Sequence, residues 1–158
     1  IFLITSLLFI TCEQKDNENN PEVPQSVIDK SLDYFDGEVI EKKLEEEEGV
    51  EAWEIKIQNS NGSVVKFYWT VNREILLKME GLVGPFDYDI NPESDLINFS
   101  TAQTIAIGAV KNNVLEKWVL KQEEDFIDKW IYSFEFNNDN ETVKVYIDAE
   151  KGDILETD

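Results

Sequence analysis

Residues 129–155, KWIYSFEFNNDNETVKVYIDAEKGDIL, decide the fold. Within them, apolar and polar residues alternate at 129–136 and again at 141–148, with the sequence NNDN between the two runs. Such alternation is typical of half-buried β-strands, and Asn/Asp-rich segments between strands favour hairpin turns. Residues 150–153, EKGD, predict a further turn into a short strand at 154–155. The stretch is therefore predicted to be an antiparallel β-meander.

A helix and one more strand are predicted just before this meander. Ser100 or Thr101 suits the N-cap position, where a side-chain oxygen accepts a hydrogen bond from a backbone N–H. Apolar residues then recur at helical spacing, and Asn112 with Asn113 closes the predicted helix. A strand follows at 114–121. The apolar positions of the helix are Ala102, Ile105, Ala106, Ala109 and Val110.

The same order of elements is predicted once before in the chain. Residues 24–35 have apolar positions at helical spacing, and Gly37 follows as a helix stop. Three strands are predicted next, at 38–45, 51–58 and 63–71. The order is again a helix followed by an antiparallel meander.

The two halves align with each other. Residues 53–57 match 132–136, and residues 66–69 match 144–147, with a period of about 78 residues. We therefore predict an α+β fold of two repeats, each a helix followed by an antiparallel β-meander, with the helices packed on one face of the sheets. The predicted boundaries are 1–12 for a signal segment, 13–22 for a disordered tether, 23–81 for repeat 1, 82–98 for a solvated linker and 99–158 for repeat 2.

Alternation also assigns side chains to the two faces of the sheets, because successive residues of a strand point to opposite sides. The set predicted to face the helices is Trp53, Ile55, Ile57, Val65, Phe67, Trp69, Trp130, Tyr132, Phe134, Phe136, Val143, Val145 and Ile147. The set predicted to face outward is Lys66, Tyr68, Ile131, Ser133, Glu135, Lys144 and Tyr146. Tyr68 and Tyr146 are equivalent outward positions.

The N-terminal segment has the pattern of an export signal. Residues 1–11, IFLITSLLFIT, carry no charge, and Cys12 opens a polar stretch. A signal needs about 7–15 apolar residues, whereas a transmembrane helix needs about 20. The sequence LFITC resembles a lipobox, with departures at Phe9 and Thr11. We predict lipidation of Cys12 and a bacterial cell-envelope location, periplasmic or surface-exposed; the alternative is a buried, inert thiol that ends an uncleaved helix.

Charge and composition exclude several functions. The chain has 34 acidic residues against 14 basic ones, for a net charge of −20, and Arg73 is its only arginine. Nucleic-acid binding needs clustered Lys and Arg, so no nucleic-acid partner is predicted. Membrane attachment is expected through the lipid and not through the acidic surface. The chain contains no histidine, which excludes His-dependent triads and His-ligated zinc.

The second half resembles the PepSY domain. The residues that carry the resemblance are the two alternating runs at 132–136 and 143–147 and the closing segment 148–155, DAEKGDIL. The first half resembles it more weakly, because residues 70–76 are one residue shorter and lack the turn glycine. The resemblance implies a secreted or envelope module that inhibits or regulates peptidases and has no catalytic residues. Tandem copies also resemble the β-lactamase-inhibitor architecture, in which a sheet surface grips an enzyme.

The candidate partner-binding residues lie on the outward face. Tyr68, Tyr146, Lys66, Lys144 and Ile131 combine aromatic and apolar groups with a charged surrounding, which is typical of interface anchors. The alternative is ordinary cross-strand pairing on a half-exposed sheet. With this surface we predict a non-enzymatic envelope lipoprotein that binds, and inhibits or regulates, another envelope protein such as a peptidase. No cofactor is predicted.

The sequence also offers a second candidate function, the binding of a metal ion. Asp87, Asp89 and Asn91 place oxygen atoms at alternate positions, as the start of a calcium loop does. An EF-hand loop then needs Gly at its sixth position and Glu at its twelfth, where this chain has Pro92 and Asn98. The segment is predicted to be a linker with a Pro-enforced turn. The alternative function is an envelope protein that binds a small ligand or a divalent cation.

Overall fold

The structure is a computed structural model that describes residues 21–92, 95–110, 114–123, 129–138 and 141–158. The predicted signal segment, Cys12 and the tether up to residue 20 lie outside the described residues. The α+β class is confirmed, because the described chain forms two helices and eight strands. They are α1 Gln25–Tyr34, β1 Glu38–Glu47, β2 Val50–Gln58, β3 Val64–Thr70, β4 Leu76–Val83, α2 Phe99–Ala109, β5 Val114–Glu123, β6 Lys129–Asn138, β7 Glu141–Asp148 and β8 Ile154–Thr157.

The eight strands form one antiparallel sheet in which the strand order equals the chain order. The sheet is continuous because β4 pairs with β5, with Lys78 opposite Lys121 and Gly81 opposite Trp118. The β1–β2, β3–β4 and β7–β8 turns therefore lie at one end of the sheet, where β5 also ends and β6 begins; we call it the hairpin end. Each helix precedes four consecutive strands. The internal duplication itself stays a prediction.

Strand β4 was not predicted, and it crosses the predicted boundary between repeat 1 and the linker at residue 82. Its sequence, LLKMEGLV, does not alternate, and Leu, Lys, Met and Glu are residues that favour helices. Hydrogen bonding to β3 on one side and to β5 on the other overrides these local preferences.

The predicted inner face contains the core. Helix α1 packs against β2, and α2 packs against β6 and β7. Two residues of the predicted inner set, Trp130 and Val143, are only half-buried. The others are 0–4% exposed: Trp53, Ile55, Ile57, Val65, Phe67, Trp69, Tyr132, Phe134, Phe136, Val145 and Ile147.

Helix α1 is fixed to the sheet by a polar contact inside this core. Ser31 is fully buried; its Oγ donates to the Val27 carbonyl at 2.9 Å and accepts from Trp69 Nε1 at 2.9 Å. Gly37 then lets the chain leave the helix close to β2. A Cβ at Gly37 would lie 2.4 Å from the Gln58 carbonyl oxygen, so a larger residue does not fit.

Helix α2 starts earlier than predicted. Its N-cap is Asn98, whose side-chain oxygen accepts from the Thr101 backbone N–H at 3.1 Å, so the prediction of Ser100 or Thr101 was wrong. A second cap comes from Asp89, which accepts from the Ser100 N–H at 3.0 Å. The two caps satisfy backbone donors that have no partner inside the helix. The helix ends at Ala109, and the predicted stop at Asn112 and Asn113 lies outside the described residues.

The predicted linker is packed against the core and is not a solvated connection. Ile90 is 1% exposed, and the Tyr88 ring lies 4.9 Å from Phe35 and 5.1 Å from Phe99. Tyr88 also accepts a hydrogen bond from Trp118 Nε1 at 2.8 Å. The reason is that aromatic and apolar residues alternate with acidic ones here, so one side of the segment covers the gap between the helices.

The turn between β7 and β8 is built by a buried carboxylate. Asp148, 2% exposed, accepts from the backbone N–H groups of Glu150 and Lys151 at 3.0 and 3.1 Å and from Lys129 Nζ at 3.1 Å. Gly152 follows with φ 77°, a conformation that other residues rarely adopt. The geometry of this one turn thus explains the sequence of the closing segment, DAEKGD.

Candidate protein-binding face

The predicted binding residues lie on the outer face of the sheet, opposite the helices, but not in one patch. Lys66 and Tyr68 are on β3, whereas Lys144 and Tyr146 are on β7. Three strands separate β3 from β7, which corresponds to about 19 Å at the usual spacing of neighbouring strands. Ile131 lies between them on β6. The outer face therefore has two parts that must be described separately.

Tyr68 points to the outer face as predicted, yet its ring is only 4% exposed. Lys66 Nζ lies 3.2 Å from the Tyr68 hydroxyl, and Lys78 Nζ lies 4.7 Å from the ring centre. Burial raises the pKa of Tyr68, and the charges of Glu54 and Glu80 raise it further, so the phenol stays neutral. The expected exposed anchor is instead a buried ring under two lysines.

The sheet curls at β1, and this explains the burial of Tyr68. Glu47 at the end of β1 binds Lys78 on β4 at 2.8 Å, although β2 and β3 lie between these strands. The adjoining turn residue Glu48 binds Lys121 on β5. The β1–β2 turn thus bends over the outer face and brings long charged side chains together above it.

A charged network fills the curled part of the outer face. Glu54 at its centre is 0% exposed and lies 3.2 Å from Lys66 Nζ and 3.6 Å from Lys43 Nζ. Glu80, 6% exposed, is bound by Lys117 and lies 3.7 Å from Lys78 Nζ. Buried carboxylates require such partners, because water no longer solvates them. We define the charged network as Glu54, Lys66, Tyr68, Lys78, Glu80 and Lys117.

The part of the outer face on β6–β8 is open to solvent. Ile131 is 1% exposed and belongs to the sheet interior, contrary to the prediction of a contact residue. Lys144 keeps 45% of its side chain exposed and lies 3.8 Å from Glu135, and Tyr146 is half-buried opposite Ser133. We define the β6–β8 face as Ser133, Glu135, Lys144 and Tyr146. Of the predicted residues, Lys144 has an exposed side chain, Lys66 and Tyr146 are half-buried, and Tyr68 and Ile131 are buried.

Of the three weak metal candidates, Asp89 has a structural role, and in the described part of the chain no group of further ligands accompanies Asp87 and Asn91. Asp89 uses both carboxylate oxygens, one to cap α2 and one to accept from Asn98 Nδ2 at 2.7 Å. Asp87 and Asn91 are exposed. Among the residues that the structure describes, no three His, Cys, Asp or Glu side chains are grouped so that they could hold a metal ion.

Sequence reasoning missed the exposed apolar residues at the β1–β2 and β3–β4 turns of the hairpin end. Val50, at the start of β2, is 44% exposed, and Ile75, just before β4, is 51% exposed. Both lie at turns, where alternation assigns no face, so the pattern gave no signal for them. The only cue was the presence of an apolar residue in a turn sequence, as in TVNREIL at 70–76.

Acid should destabilise the fold through its buried carboxylates. Burial alone would raise the pKa of Asp148, but hydrogen bonds from Lys129 and two backbone N–H groups lower it; the Lys117 hydrogen bond and nearby lysine charges likewise lower the pKa of Glu80. A lowered folded-state pKa contributes stability above the unfolded value, about 3.9–4.3, and this contribution is lost as the pH falls through the folded value. We expect the urea concentration at the midpoint of unfolding to decrease when the pH is lowered below about 4.

A variant of the turn carboxylate tests this assignment. Asp148→Asn keeps an acceptor for the two backbone N–H groups but removes the charge that Lys129 binds. It should lower the urea midpoint at pH 7 and flatten its dependence on acid, whereas the same change at the exposed Asp153 should do neither. An unchanged acid profile in Asp148→Asn would rule out this carboxylate as a source of the effect.

Neither helix of the described chain is long and apolar enough to cross a bilayer. No curated protein matches the chain. A similar solved structure is that of a candidate lipoprotein from Clostridium difficile 630, which is 19% identical; the match covers 89% of this chain and 95% of that one, with a TM-score of 0.41.

A family model of the peptidase propeptide and YPEB domain matches residues 24–71 and 96–158. The first segment contains α1 and β1–β3, and the second contains α2 and β5–β8. The two segments together make up more than half of the chain, as the resemblance in the sequence implied. The chain belongs to the PepSY family.

Proposed function

We propose that the chain is a non-enzymatic protein of the bacterial cell envelope, anchored through Cys12, that binds and inhibits or regulates another envelope protein such as a peptidase. The observation that carries the proposal is the match of the peptidase propeptide and YPEB domain to both halves of the chain. We expect such a domain to act by contact with a protein, so its exposed surfaces are the candidate binding sites.

The charged network supports binding over catalysis. A catalytic carboxylate needs access to a substrate, whereas Glu54 and Glu80 lie beneath lysine side chains that neutralise them. With no histidine in the chain, the commonest general base is also missing. These groups hold the curled sheet together.

The β6–β8 face is the surface that we propose for the partner. It is partly exposed to solvent, it presents the half-buried ring of Tyr146, and it carries a lysine and a glutamate that lie 3.8 Å apart. Partly exposed tyrosines among weakly paired charges are frequent anchors at interfaces, because they bury a large area at a small cost in side-chain entropy.

We also propose that the two halves are copies of one unit. Both first strands of a meander have a register shift against the next strand, between Val39 and Glu41 in β1 and between Leu115 and Lys117 in β5. Bulges of this kind are specific features of a strand pair and are kept within families. The outer faces of the two halves differ, since five of the six residues of the charged network lie in the first half and only Lys117 lies in the second.

Capture from the native envelope tests the proposed function. Wild-type protein immobilised on beads should retain a specific protein from a detergent extract of the envelope, and Tyr146→Ala should reduce its recovery at least tenfold. Tyr68→Ala is not an equivalent change, because Tyr68 is buried. The neutral control is Lys151→Ala, at an exposed turn. Recovery of the same protein by wild type and Tyr146→Ala alike would exclude the β6–β8 face.

The alternative function, small-ligand or cation binding, has no observation in its favour among the described residues. Asp89 caps α2, and the carboxylates of the charged network are already paired with lysine side chains. We therefore propose a single function.

A further inference from the structure

The hairpin end of the sheet presents apolar side chains on a rigid turn. Ile75, 51% exposed, is held in the β3–β4 turn by two hydrogen bonds with Thr70: the Ile75 N–H donates to Thr70 Oγ1 at 3.0 Å, and the Thr70 N–H donates to the Ile75 carbonyl at 2.9 Å. Exposed apolar residues are ordinary when scattered, so the surroundings decide whether this one matters.

Helix α1 fixes the same turn from the other side. Glu74 has φ 51°, which is unusual for a residue other than glycine, and its carboxylate accepts from Ser26 Oγ at 2.7 Å and from Lys30 Nζ at 2.8 Å. The turn is therefore ordered before any partner arrives. A preformed surface loses less conformational entropy on binding than a flexible loop does.

Ile75 and Val50 line two neighbouring grooves. One groove, of about 460 Å³, is also lined by Leu77 and Trp130, and the other, of about 480 Å³, is also lined by Val71. Each groove is large enough for one or two side chains of a partner. We define the hairpin-end surface as Val50, Val71, Ile75, Leu77 and Trp130.

The border of this surface is acidic. Glu46 lies directly opposite Glu51 in the β1–β2 ladder, and both are exposed. Like charges in such a pair repel each other, and within the described chain no lysine or arginine forms an ion pair with either one. Arg73 supplies one positive charge to the groove that Val71 lines. A cation brought by a partner would relieve the repulsion between the two glutamates.

We propose that the hairpin-end surface binds an apolar segment flanked by Lys or Arg on the partner protein; this inference rests on the proposed function and adds a second contact to the β6–β8 face. Apolar side chains enter the two grooves beside Ile75, and the basic residues lie against Glu46 and Glu51. The same acidic border disfavours a second copy of this chain, which would bring like charges together, and it disfavours anionic lipid.

A synthetic peptide of alternating leucine and lysine is the probe. Its fluorescence anisotropy should rise on titration with wild-type protein, while a peptide of alternating serine and lysine should bind at least tenfold more weakly. Ile75→Ser should weaken binding of the leucine peptide at least tenfold. Glu51→Gln should weaken it less and reduce its dependence on salt.

The matched control is Ile107→Ser, because Ile107 on α2 is 52% exposed and lies away from the hairpin end. Circular dichroism checks that both variants are folded. Equal affinities of Ile75→Ser and Ile107→Ser, or no binding by wild type at millimolar peptide, would overturn the inference. So would a dimer of the protein alone, seen by sedimentation and abolished by Ile75→Ser. None of these results depends on envelope capture, so the proposed function is tested separately.

Discussion

Trp118→Ala is expected to lower the free energy of unfolding by about 3–5 kcal/mol. Trp118 is 0% exposed, lies 4.6 Å from the Phe99 ring of α2 and donates to the Tyr88 hydroxyl at 2.8 Å. It also faces Gly81 across the β4–β5 pair. Truncation would leave a large cavity where the two halves of the sheet join. Urea unfolding followed by circular dichroism measures the loss.

Gly81→Ala tests the same contact from the other strand. A Cβ at Gly81 would lie 1.9 Å from Trp118 Nε1, so the indole would have to move and lose its hydrogen bond to Tyr88. We expect a loss of about 1–3 kcal/mol, and the double variant should lose less than the sum of the single ones. Trp130→Ala, at a half-buried tryptophan, is the control and should cost less than Trp118→Ala. Additive losses would contradict a direct contact.

Lys66→Met is expected to cost about 3 kcal/mol, because it leaves the fully buried Glu54 with Lys43 alone. Lys66 Nζ lies 3.2 Å from one Glu54 oxygen, and Lys43 Nζ lies 3.6 Å from the other. The loss falls at the lower end of the usual range for a broken buried pair, since one cation remains. Urea unfolding at pH 7 and low salt measures it.

Two further variants separate a buried charge from lost packing. Replacing both partners, as in Glu54→Leu with Lys66→Met, should recover most of the stability, because no unpaired charge remains. Lys144→Met breaks the pair with Glu135, whose side chains are 45% and 34% exposed, and should cost less than about 1 kcal/mol. If Lys66→Met and Lys144→Met lowered the free energy of unfolding equally, the buried Glu54 would not depend on Lys66 for its stability.

Much of the fold followed from the period of the apolar residues. Alternation placed β6 and β7 and the side of the sheet that the helices cover, and helical spacing placed α1 within one residue at each end. These elements are determined by local pattern and by burial on one face, which the sequence records directly. Strand β4 was missed because pairing with β3 and β5 decides its structure, not its own residues.

The candidate site was harder to predict than the fold. Alternation correctly put Tyr68 outside the helix-facing side of the sheet, but it gives no information on curvature. The bend that carries Glu47 and Glu48 over to β4 and β5 buries Tyr68, and it depends on ion pairs between residues far apart in the chain. The exposure of Ile75 was not predicted for a similar reason. Whether a turn residue is exposed or covered depends on its neighbours in the tertiary structure.

The match between strand order and chain order has a consequence for how the protein folds. Nearly all strand pairs form across short connections, so they need little loop closure. The exception is β4 with β5, which must meet around the whole of α2 and the segment before it. Because folding rates fall as contacts become less local, we expect this pairing to be the slowest step of an otherwise local assembly. Trp118 and Gly81 meet in this pairing. We therefore expect their contact to form at the step that joins two early meanders into a single cooperative sheet.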